Sequence, residues 1–191
     1  MDASSAGEGK TGFVKRVPIG VVGAITPFNF PRNLVCHKVA PAIAAGCPLV
    51  LKPASATPLT ALLLAQVLVE ECGLPEGWIN VVTCPGRTAS HLVTHDDVAM
   101  ITFTGSPTVG WGIRALAPRK KVSLELGNNS PIVIEPDIDP VAVASRVCRA
   151  AFAYAGKTCI STQRLYVHDD IVEEFTEALA AETSTLVVGD P

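Results

Sequence analysis

The chain has 191 residues, of which 48% are hydrophobic and 17% are charged, so it can form one good-sized domain or one domain and part of another. A net charge of −3 without a basic patch argues against nucleic acid as a partner. Apolar runs stay below the roughly 18 residues of a membrane span, and six cysteines without a CxxC pair are typical of reduced thiols in a cytoplasmic protein.

The two ends of the chain differ in character from its middle. Residues 1–12 are small and polar, which predicts a flexible lead rather than a signal peptide. At the other end, residues 186–191 read as the start of a further segment. We therefore expect the chain to be a fragment of a longer protein.

Strand-like and helix-like segments alternate after the lead. β-branched, mostly apolar runs predict strands at residues 18–26, 48–52, 78–83, 100–104 and 121–126. Between them, helices are predicted at residues 34–45, after Thr57 as a cap, at residues 87–93 and after Ser106 as a cap. The helix after Thr57 is predicted to bury Leu59, Leu62, Leu63 and Val67.

This alternation predicts an α/β fold with a doubly wound parallel sheet, in which ligands bind at the carboxyl ends of the strands. The fold is Rossmann-like without the G-x-G-x-x-G fingerprint, because Gly20 and Gly23 lie inside the first strand rather than after it. Four of the predicted strand ends carry polar residues or glycines with possible functions. These are Asn29, Lys52 with Ser55, Gly105 with Ser106, and Glu125.

The character of the chain changes from residue 131, where the start of a second α/β domain is predicted. A strand at residues 132–134 precedes a helix that Asp139 opens and that runs to about Tyr154. A further strand at residues 164–167 leads to a helix with Asp170 and Glu173 as its capping box. The apolar stripe of this last helix is Ile171, Val172, Phe175, Ala178 and Leu179.

Cys159 is the candidate nucleophile among the cysteines. It lies on a loop between a helix and a strand, and a thiolate attacks carbonyl carbon well. Taken alone, such a cysteine is more often a small buried hydrophobe, which is how we interpret the other five. Glu125 is the second candidate, because an unpaired carboxylate buried in an apolar strand costs several kcal/mol and so needs a partner or a function.

Six short motifs together resemble the aldehyde dehydrogenase superfamily, in the family's order and with similar spacings. They are PIGVVG at 18–23, TPFNFP at 26–31, LKPAS at 51–55, FTGS at 103–106, LELG at 124–127 and GKTC at 156–159. The resemblance covers nearly the whole chain after the lead. It implies oxidation of an aldehyde to a carboxylic acid with NAD or NADP as cofactor.

The resemblance also implies catalytic roles for Cys159, Glu125 and Asn29. Cys159 attacks the aldehyde, and the Asn29 amide and the Cys159 backbone N–H stabilise the oxyanion. Glu125 activates the water that hydrolyses the thioester, and it can also help to deprotonate the thiol. The presence of Glu125 favours the hydrolytic reaction over transfer of the acyl group to coenzyme A or phosphate.

The cofactor site implied by the resemblance lies at the strand ends. Its residues are Ile25, Thr26, Pro27, Phe28, Lys52, Ser55, Gly105, Ser106 and Leu126. Lys52 binds the adenosine ribose, and Gly105 and Ser106 form the turn beside the pyrophosphate. NAD-preferring members commonly carry glutamate where this chain has Ser55, so we expect NADP to be tolerated or preferred.

On the same resemblance, residues 13–127 form the dinucleotide-binding domain and residues 128–191 form the first part of the catalytic domain with the nucleophile. The implied partners are a small aldehyde and further copies of the full-length protein, without nucleic acid or membrane. Two positions depart from the family pattern. Asn128 replaces a frequent second glycine, and Lys157 replaces a frequent glutamine, so that its ammonium either favours the Cys159 thiolate or faces solvent.

Two other function classes remain open. The first is a cofactor-binding fragment without turnover, which follows if essential parts of the catalytic domain are missing. The second is a different cysteine enzyme, which needs a histidine base, and none of the four histidines is well placed for it. His91 and His95 are spaced as a metal pair, but without a third ligand they are expected to be exposed residues at a helix end.

Overall fold

Strands and helices alternate along residues 4–189, which are the residues that the computed structural model describes. The strands are Val21–Ile25 (β1), Leu49–Lys52 (β2), Ile79–Val81 (β3), Val98–Thr104 (β4), Lys121–Glu125 (β5), Ser130–Ile134 (β6) and Thr162–Val167 (β7). The α-helices are Asn33–Ala44 (α1), Leu59–Gln66 (α2), Ser90–Thr94 (α3), Pro107–Leu116 (α4), Pro140–Phe152 (α5) and Val172–Ser184 (α6). The predicted α/β alternation is confirmed. Parts of the predicted lead and of the predicted final segment, residues 1–3 and 190–191, lie outside the described residues.

The first five strands form one sheet in the order β3-β2-β1-β4-β5. β1 pairs in parallel with β2 and with β4, so that Ile25 lies opposite Lys52 on one side and Phe103 on the other. This is the order of a doubly wound dinucleotide-binding sheet, in which the chain changes direction across the sheet at β1. Ligands of such sheets bind at the carboxyl ends of the strands beside this reversal, here the ends of β1 and β4.

The centre of this sheet is buried on both faces, as its uncharged sequence predicts. Residues 22–25 of β1 are buried in succession, and Leu49 and Leu51 of β2 are fully buried. Gly23 is required by close approach, because a Cβ atom at this position would lie 2.8 Å from Cδ1 of Ile101. A glycine inside β1 therefore serves strand contact, in agreement with the absence of a dinucleotide fingerprint.

The chain divides into two compact units. Among the described residues, one unit contains 4–104 together with Gly112–Leu124, and the other contains Gly105–Trp111 and residues 125–189. The assignment of residues 13–127 to a dinucleotide-binding domain and of residues 128–191 to a catalytic domain stays a prediction.

The second unit has its own small core. Strands β6 and β7 pair in parallel, with Ile134 opposite Val167. Phe175 of α6 is 1% exposed and packs with Ile134 and with Ala144 and Val147 of α5. The predicted apolar stripe of the last helix supplies its side of this core, except for Val172, which is 38% exposed.

We expect the Phe175→Ala variant to lower the free energy of unfolding by about 3–5 kcal/mol, because removal of a buried aromatic ring leaves a cavity in a small core. Urea unfolding followed by circular dichroism measures the loss. Val172→Ala on the same helix is the control and should cost much less. A loss below about 1 kcal/mol for Phe175→Ala would contradict the described core.

Helix α2 buries a different face from the one predicted. Leu59 and Leu63 of the predicted stripe are 77% and 60% exposed. Ala61 is fully buried instead, and Leu64 and Leu68 pack against the same core. The prediction was wrong because the helix is apolar on every side, so periodicity cannot select the buried face.

Two predicted helix caps are present and two are not. Oδ1 of Asp139 accepts from the backbone N–H groups of residues 141 and 142 at 3.0 and 3.2 Å, and Oγ of Ser106 accepts from the N–H of residue 109 at 3.4 Å. Thr57 does not cap α2, because the helix begins at residue 59 with a proline before it. Asp170 and Glu173 do not form a capping box, because α6 begins one residue too late and Ile171 occupies the cap position.

All six cysteines are free, as expected. Cys47 and Cys148 are buried, whereas Cys72 is exposed and so does not have the packing role predicted for it. Among residues 4–189, no helix is long and apolar enough to cross a membrane.

Candidate active site

The carboxyl end of β1 carries the first group of predicted site residues. Ile25 and Thr26 are buried, and the Thr26 N–H donates to the Lys52 carbonyl oxygen at 3.2 Å, which continues the ladder beyond the strand. Oγ1 of Thr26 is buried without a hydrogen-bond partner among the described residues. Phe28 is 51% exposed and Asn29 is half-buried. This strand end therefore presents an unsatisfied hydroxyl, an aromatic ring and an amide in sequence.

Lys52 and Ser55 follow β2 at the same edge of the sheet. Lys52 is 7% exposed, and Ser55 is exposed with its hydroxyl donating to the Cys84 carbonyl oxygen at 3.4 Å. Ser55 lines a cavity of about 260 Å³ beyond the ends of β2 and β3. The cavity walls are Pro53, Ala54, Ser55, Pro58, Thr83, Cys84 and Pro85.

Gly105 and Ser106 follow β4 and precede the N-terminus of α4. The Gly105 N–H donates to the Glu125 carbonyl oxygen at 3.0 Å, and Ser106 caps the helix as described above. The positive end of the α4 dipole therefore lies directly after Ser106, an arrangement suited to an anion. Leu126, one residue beyond Glu125, is half-buried.

The side chain of Glu125 is exposed, so the expectation that its carboxylate is buried was wrong. Glu125 is the last residue of β5, which lies at the edge of the sheet, and the strand itself is only half-buried. An exposed carboxylate is solvated and does not need a partner. The assignment of Glu125 as a base therefore depends on the family motif and on the position of the residues that follow it.

Cys159 lies on an exposed loop after a strained turn. Helix α5 ends at Phe152 rather than near Tyr154, because Tyr154 and Ala155 adopt left-handed φ angles of 56° and 51°. Left-handed backbone costs roughly 1–2 kcal/mol for a residue other than glycine. Such strain persists only where surrounding contacts hold it, and it is frequent at functional sites.

Asn128 connects this loop to the segment after Glu125. Its side-chain amide donates to the Cys159 carbonyl oxygen, and its Oδ1 accepts from the Ser130 N–H at 2.9 Å. The second unit thus brings the candidate nucleophile next to the segment that begins with the candidate base. Sequence reasoning missed this role and noted Asn128 only as a departure from a glycine.

Lys38 is a second residue that sequence reasoning missed. It is 5% exposed on α1, and its ammonium donates to Oγ1 of Thr102 on β4 at 3.1 Å. A signal was available, because Lys38 lies one helical turn after Leu34 and one turn before Ala42 on the buried stripe of the helix. A lysine inside such a stripe is buried with a polar partner rather than directed to solvent.

The structure does not support a metal site at His91 and His95. His91 and His95 are exposed, as expected, and no group of three metal-ligating side chains occurs within residues 4–189. The His95 imidazole lies 3.9 Å from the carboxylate of Asp97, which is also exposed. A contact between two exposed side chains at this distance has small energetic weight.

Comparison with known proteins agrees with the motifs. The model of the Aldehyde dehydrogenase family matches residues 2–191. The chain is 50% identical over 192 residues to a 3-sulfolactaldehyde dehydrogenase of Priestia megaterium, which covers 100% of this chain and 40% of that protein. The chain therefore spans about 40% of the length of these curated relatives.

Solved structures of similar proteins also include aldehyde dehydrogenases. A mutant aldehyde dehydrogenase of Pseudomonas syringae in complex with NAD+ and octanal is 41% identical with a TM-score of 0.87, covering 92% of this chain and 37% of that chain. An NADP-dependent enzyme of E. coli is 42% identical with a TM-score of 0.85, covering 91% and 37%.

Proposed function

The chain belongs to the aldehyde dehydrogenase family, and from this premise we propose that it carries the cofactor-binding and nucleophile-bearing part of an enzyme that oxidises an aldehyde to a carboxylic acid with NAD or NADP. The observation that carries the proposal is the hydrogen bond from Asn128 to the Cys159 carbonyl oxygen, which holds the nucleophile loop against the segment following Glu125. Nucleophile and base on adjoining segments are what a thioester mechanism requires.

The strand ends fit a dinucleotide. The buried, unsatisfied hydroxyl of Thr26 offers a hydrogen bond to a bound polar group, and Lys52 supplies a cation. The cavity beside Ser55 suits the adenosine end, and the family resemblance assigns Gly105 and Ser106 to the pyrophosphate. When bound, the nicotinamide accepts the hydride that leaves the substrate carbon.

In the proposed mechanism, Sγ of Cys159 forms a bond to the aldehyde carbon, and the carbonyl oxygen takes the electron pair and becomes an oxyanion. The family resemblance assigns the side-chain amide of Asn29 and the backbone N–H of Cys159 as the donors to that oxygen. Loss of hydride from the same carbon converts the thiohemiacetal into a thioester. Glu125 then removes a proton from a water molecule that attacks the thioester, and the carbon–sulfur bond breaks to release the acid and the Cys159 thiolate.

The test combines binding and turnover. The protein is mixed with NAD or NADP and with short aliphatic, aromatic and anionic aldehydes, and reduced cofactor is followed by absorbance, while calorimetry measures cofactor binding separately. We expect a burst or steady turnover with at least one aldehyde. The anionic members are included because the Priestia relative is named for 3-sulfolactaldehyde.

Cofactor binding without turnover is a second candidate function, favoured by the short coverage of the relatives. Measurable binding with no reduced cofactor from any aldehyde would support it over the first. Absence of binding to both NAD and NADP would contradict both candidates.

Ser55 is proposed to permit NADP. A short neutral hydroxyl beside the cavity does not repel a 2′-phosphate, whereas a carboxylate does. We expect Ser55→Glu to weaken NADP binding about tenfold or more while NAD binding holds or tightens, measured by calorimetry. Ser55→Gln, of equal length and uncharged, is the control. A clearly tighter dissociation constant for NAD than for NADP in the unaltered protein would already contradict the role of Ser55.

The location and assembly of the protein are also proposals. Six free cysteines support a cytoplasmic compartment. Trp111 and Leu116 on α4 are 63% and 55% exposed, and exposed apolar side chains of this size support contact with another subunit in the whole protein. The proposed assembly is a homo-oligomer.

A further inference from the structure

We propose that Asn128 is a positioning residue that holds the nucleophile loop, residues 157–161, in its reactive conformation. The inference rests on the proposed function, in which Cys159 attacks the aldehyde. Asn128 lies three residues after Glu125 and reaches a loop that is 31 residues further along the chain. Its side chain makes two hydrogen bonds. The amide N–H donates to the Cys159 carbonyl oxygen, and Oδ1 accepts from the Ser130 N–H at 2.9 Å.

The segment that carries Asn128 is itself held firmly. The guanidinium of Arg164 donates to the Asn129 carbonyl oxygen through Nε at 3.2 Å and through Nη2 at 3.1 Å. The same guanidinium donates to the Tyr166 hydroxyl at 3.0 Å and lies 5.7 Å from the centre of its ring. The two hydrogen bonds from one planar guanidinium converge on this oxygen and so restrain both its distance and its direction. The Asn128 amide is therefore presented to the loop from a fixed backbone.

The nucleophile loop depends on such a contact. Upstream of Cys159, Tyr154 and Ala155 are left-handed, and this conformation relaxes unless the following residues are restrained. The hydrogen bonds from Oγ1 of Thr158 to the Ala153 carbonyl and from the Ser161 N–H to the Thr158 carbonyl are local to the turn. They set the shape of the loop, whereas the bond from Asn128 sets its place relative to the segment after Glu125.

The hydrogen bond from Asn128 affects catalysis because it holds the carbonyl oxygen of the nucleophile residue itself. Fixing the Cys159 carbonyl oxygen fixes the peptide plane after Cys159 and so restrains its ψ angle and its Cα position. The thiol and the backbone N–H that donates to the oxyanion move with that Cα. Loss of the contact is therefore expected to slow the attack on the aldehyde without changing cofactor binding, since misplacement of reacting groups by a fraction of an ångström reduces rate.

Three variants separate the effect of the hydrogen bond to Cys159 from those of the bond to Ser130 and of an added charge. Asn128→Asp keeps an oxygen that accepts from the Ser130 N–H and removes the donor to Cys159, and Asn128→Ala removes both bonds. Asn129→Asp adds the same charge one residue away, where the neighbouring side chain makes no bond to Cys159, and is the matched control. Because Asp forms the same local turn as Asn, Asn128→Asp should fold normally.

Three measurements are made on the unaltered protein and each variant: amide hydrogen exchange in residues 157–161, the rate of the reduced-cofactor burst, and the rate of Cys159 alkylation relative to exposed Cys72. We expect both Asn128 variants to exchange about tenfold faster in the loop and to show a burst about tenfold slower, comparable to one lost hydrogen bond. The cofactor dissociation constant should stay unchanged. The rate of Cys159 alkylation relative to Cys72 should change in Asn128→Ala, because the thiol moves with the released loop.

An unchanged loop exchange in Asn128→Asp overturns the proposal, and so does faster exchange with an unchanged burst, which would make Asn128 purely structural. Equal effects in Asn129→Asp overturn it as well, because charge rather than the hydrogen bond would then be responsible. If the unaltered protein gives no burst with any aldehyde, the proposed function fails, and the alkylation ratio decides the role of Asn128. A ratio that changes in Asn128→Ala and not in Asn129→Asp supports positioning, and a ratio unchanged in both overturns it.

Discussion

The Cys159→Ala variant is expected to lose the burst and the steady formation of reduced cofactor by roughly 10⁴–10⁶-fold. The expected loss is large because the thiolate forms the covalent bond on which every later step depends. Alanine removes that bond-forming atom and little else, since the side chain is exposed and contributes little to stability. Cofactor binding measured by calorimetry should therefore remain within a factor of about two of the unaltered protein.

Cys72→Ala is the matched control, because Cys72 is also an exposed free thiol but lies in the other compact unit. It should leave the burst unchanged. Full loss in both variants would indicate general inactivation by loss of thiols rather than a nucleophile. Retention of the burst in Cys159→Ala would remove Cys159 from the mechanism and with it the thioester.

The general fold could be predicted because its signals are local and repeated. The uncharged run that became β1 is buried on both faces, and the capping residues Ser106 and Asp139 bond the helix N–H groups as expected. These features depend on backbone chemistry within a few residues. The parallel order of the strands then follows from the alternation itself, since each crossover must return across the sheet.

The wrong or missing sequence predictions concern the burial of side chains and the contacts between residues that are far apart in the sequence. Which face of α2 is buried depends on the neighbouring strands, because the helix offers apolar side chains in all directions. Whether Glu125 is buried depends on its strand lying at an edge, which the strand composition does not reveal. The bond between Asn128 and Cys159 joins residues that sequence spacing cannot relate. For the same reason the family motifs indicated the candidate residues without indicating what holds the nucleophile in place.

The Glu125→Gln variant is expected to keep the burst and lose steady turnover by roughly 10²–10⁴-fold, the usual contribution of a general base. Glutamine has the same shape as glutamate but cannot take a proton from water at neutral pH. The acyl group should therefore remain on Cys159 as a thioester. Intact-mass measurement after rapid quenching would detect it as an added mass on the peptide that contains Cys159.

Glu135→Gln is the matched control, since Glu135 is an exposed carboxylate of the same compact unit directly after β6, and it should leave turnover unchanged. If burst and turnover fall together in Glu125→Gln, the carboxylate acts at or before attack by the thiol, and its assignment to thioester hydrolysis fails. If neither falls, another group activates the water, and the exposure of Glu125 reflects a side chain without a chemical role. Only a burst that persists while turnover falls places Glu125 after hydride transfer. In that result the carbon–sulfur bond still forms at its normal rate, and only its hydrolysis is slowed.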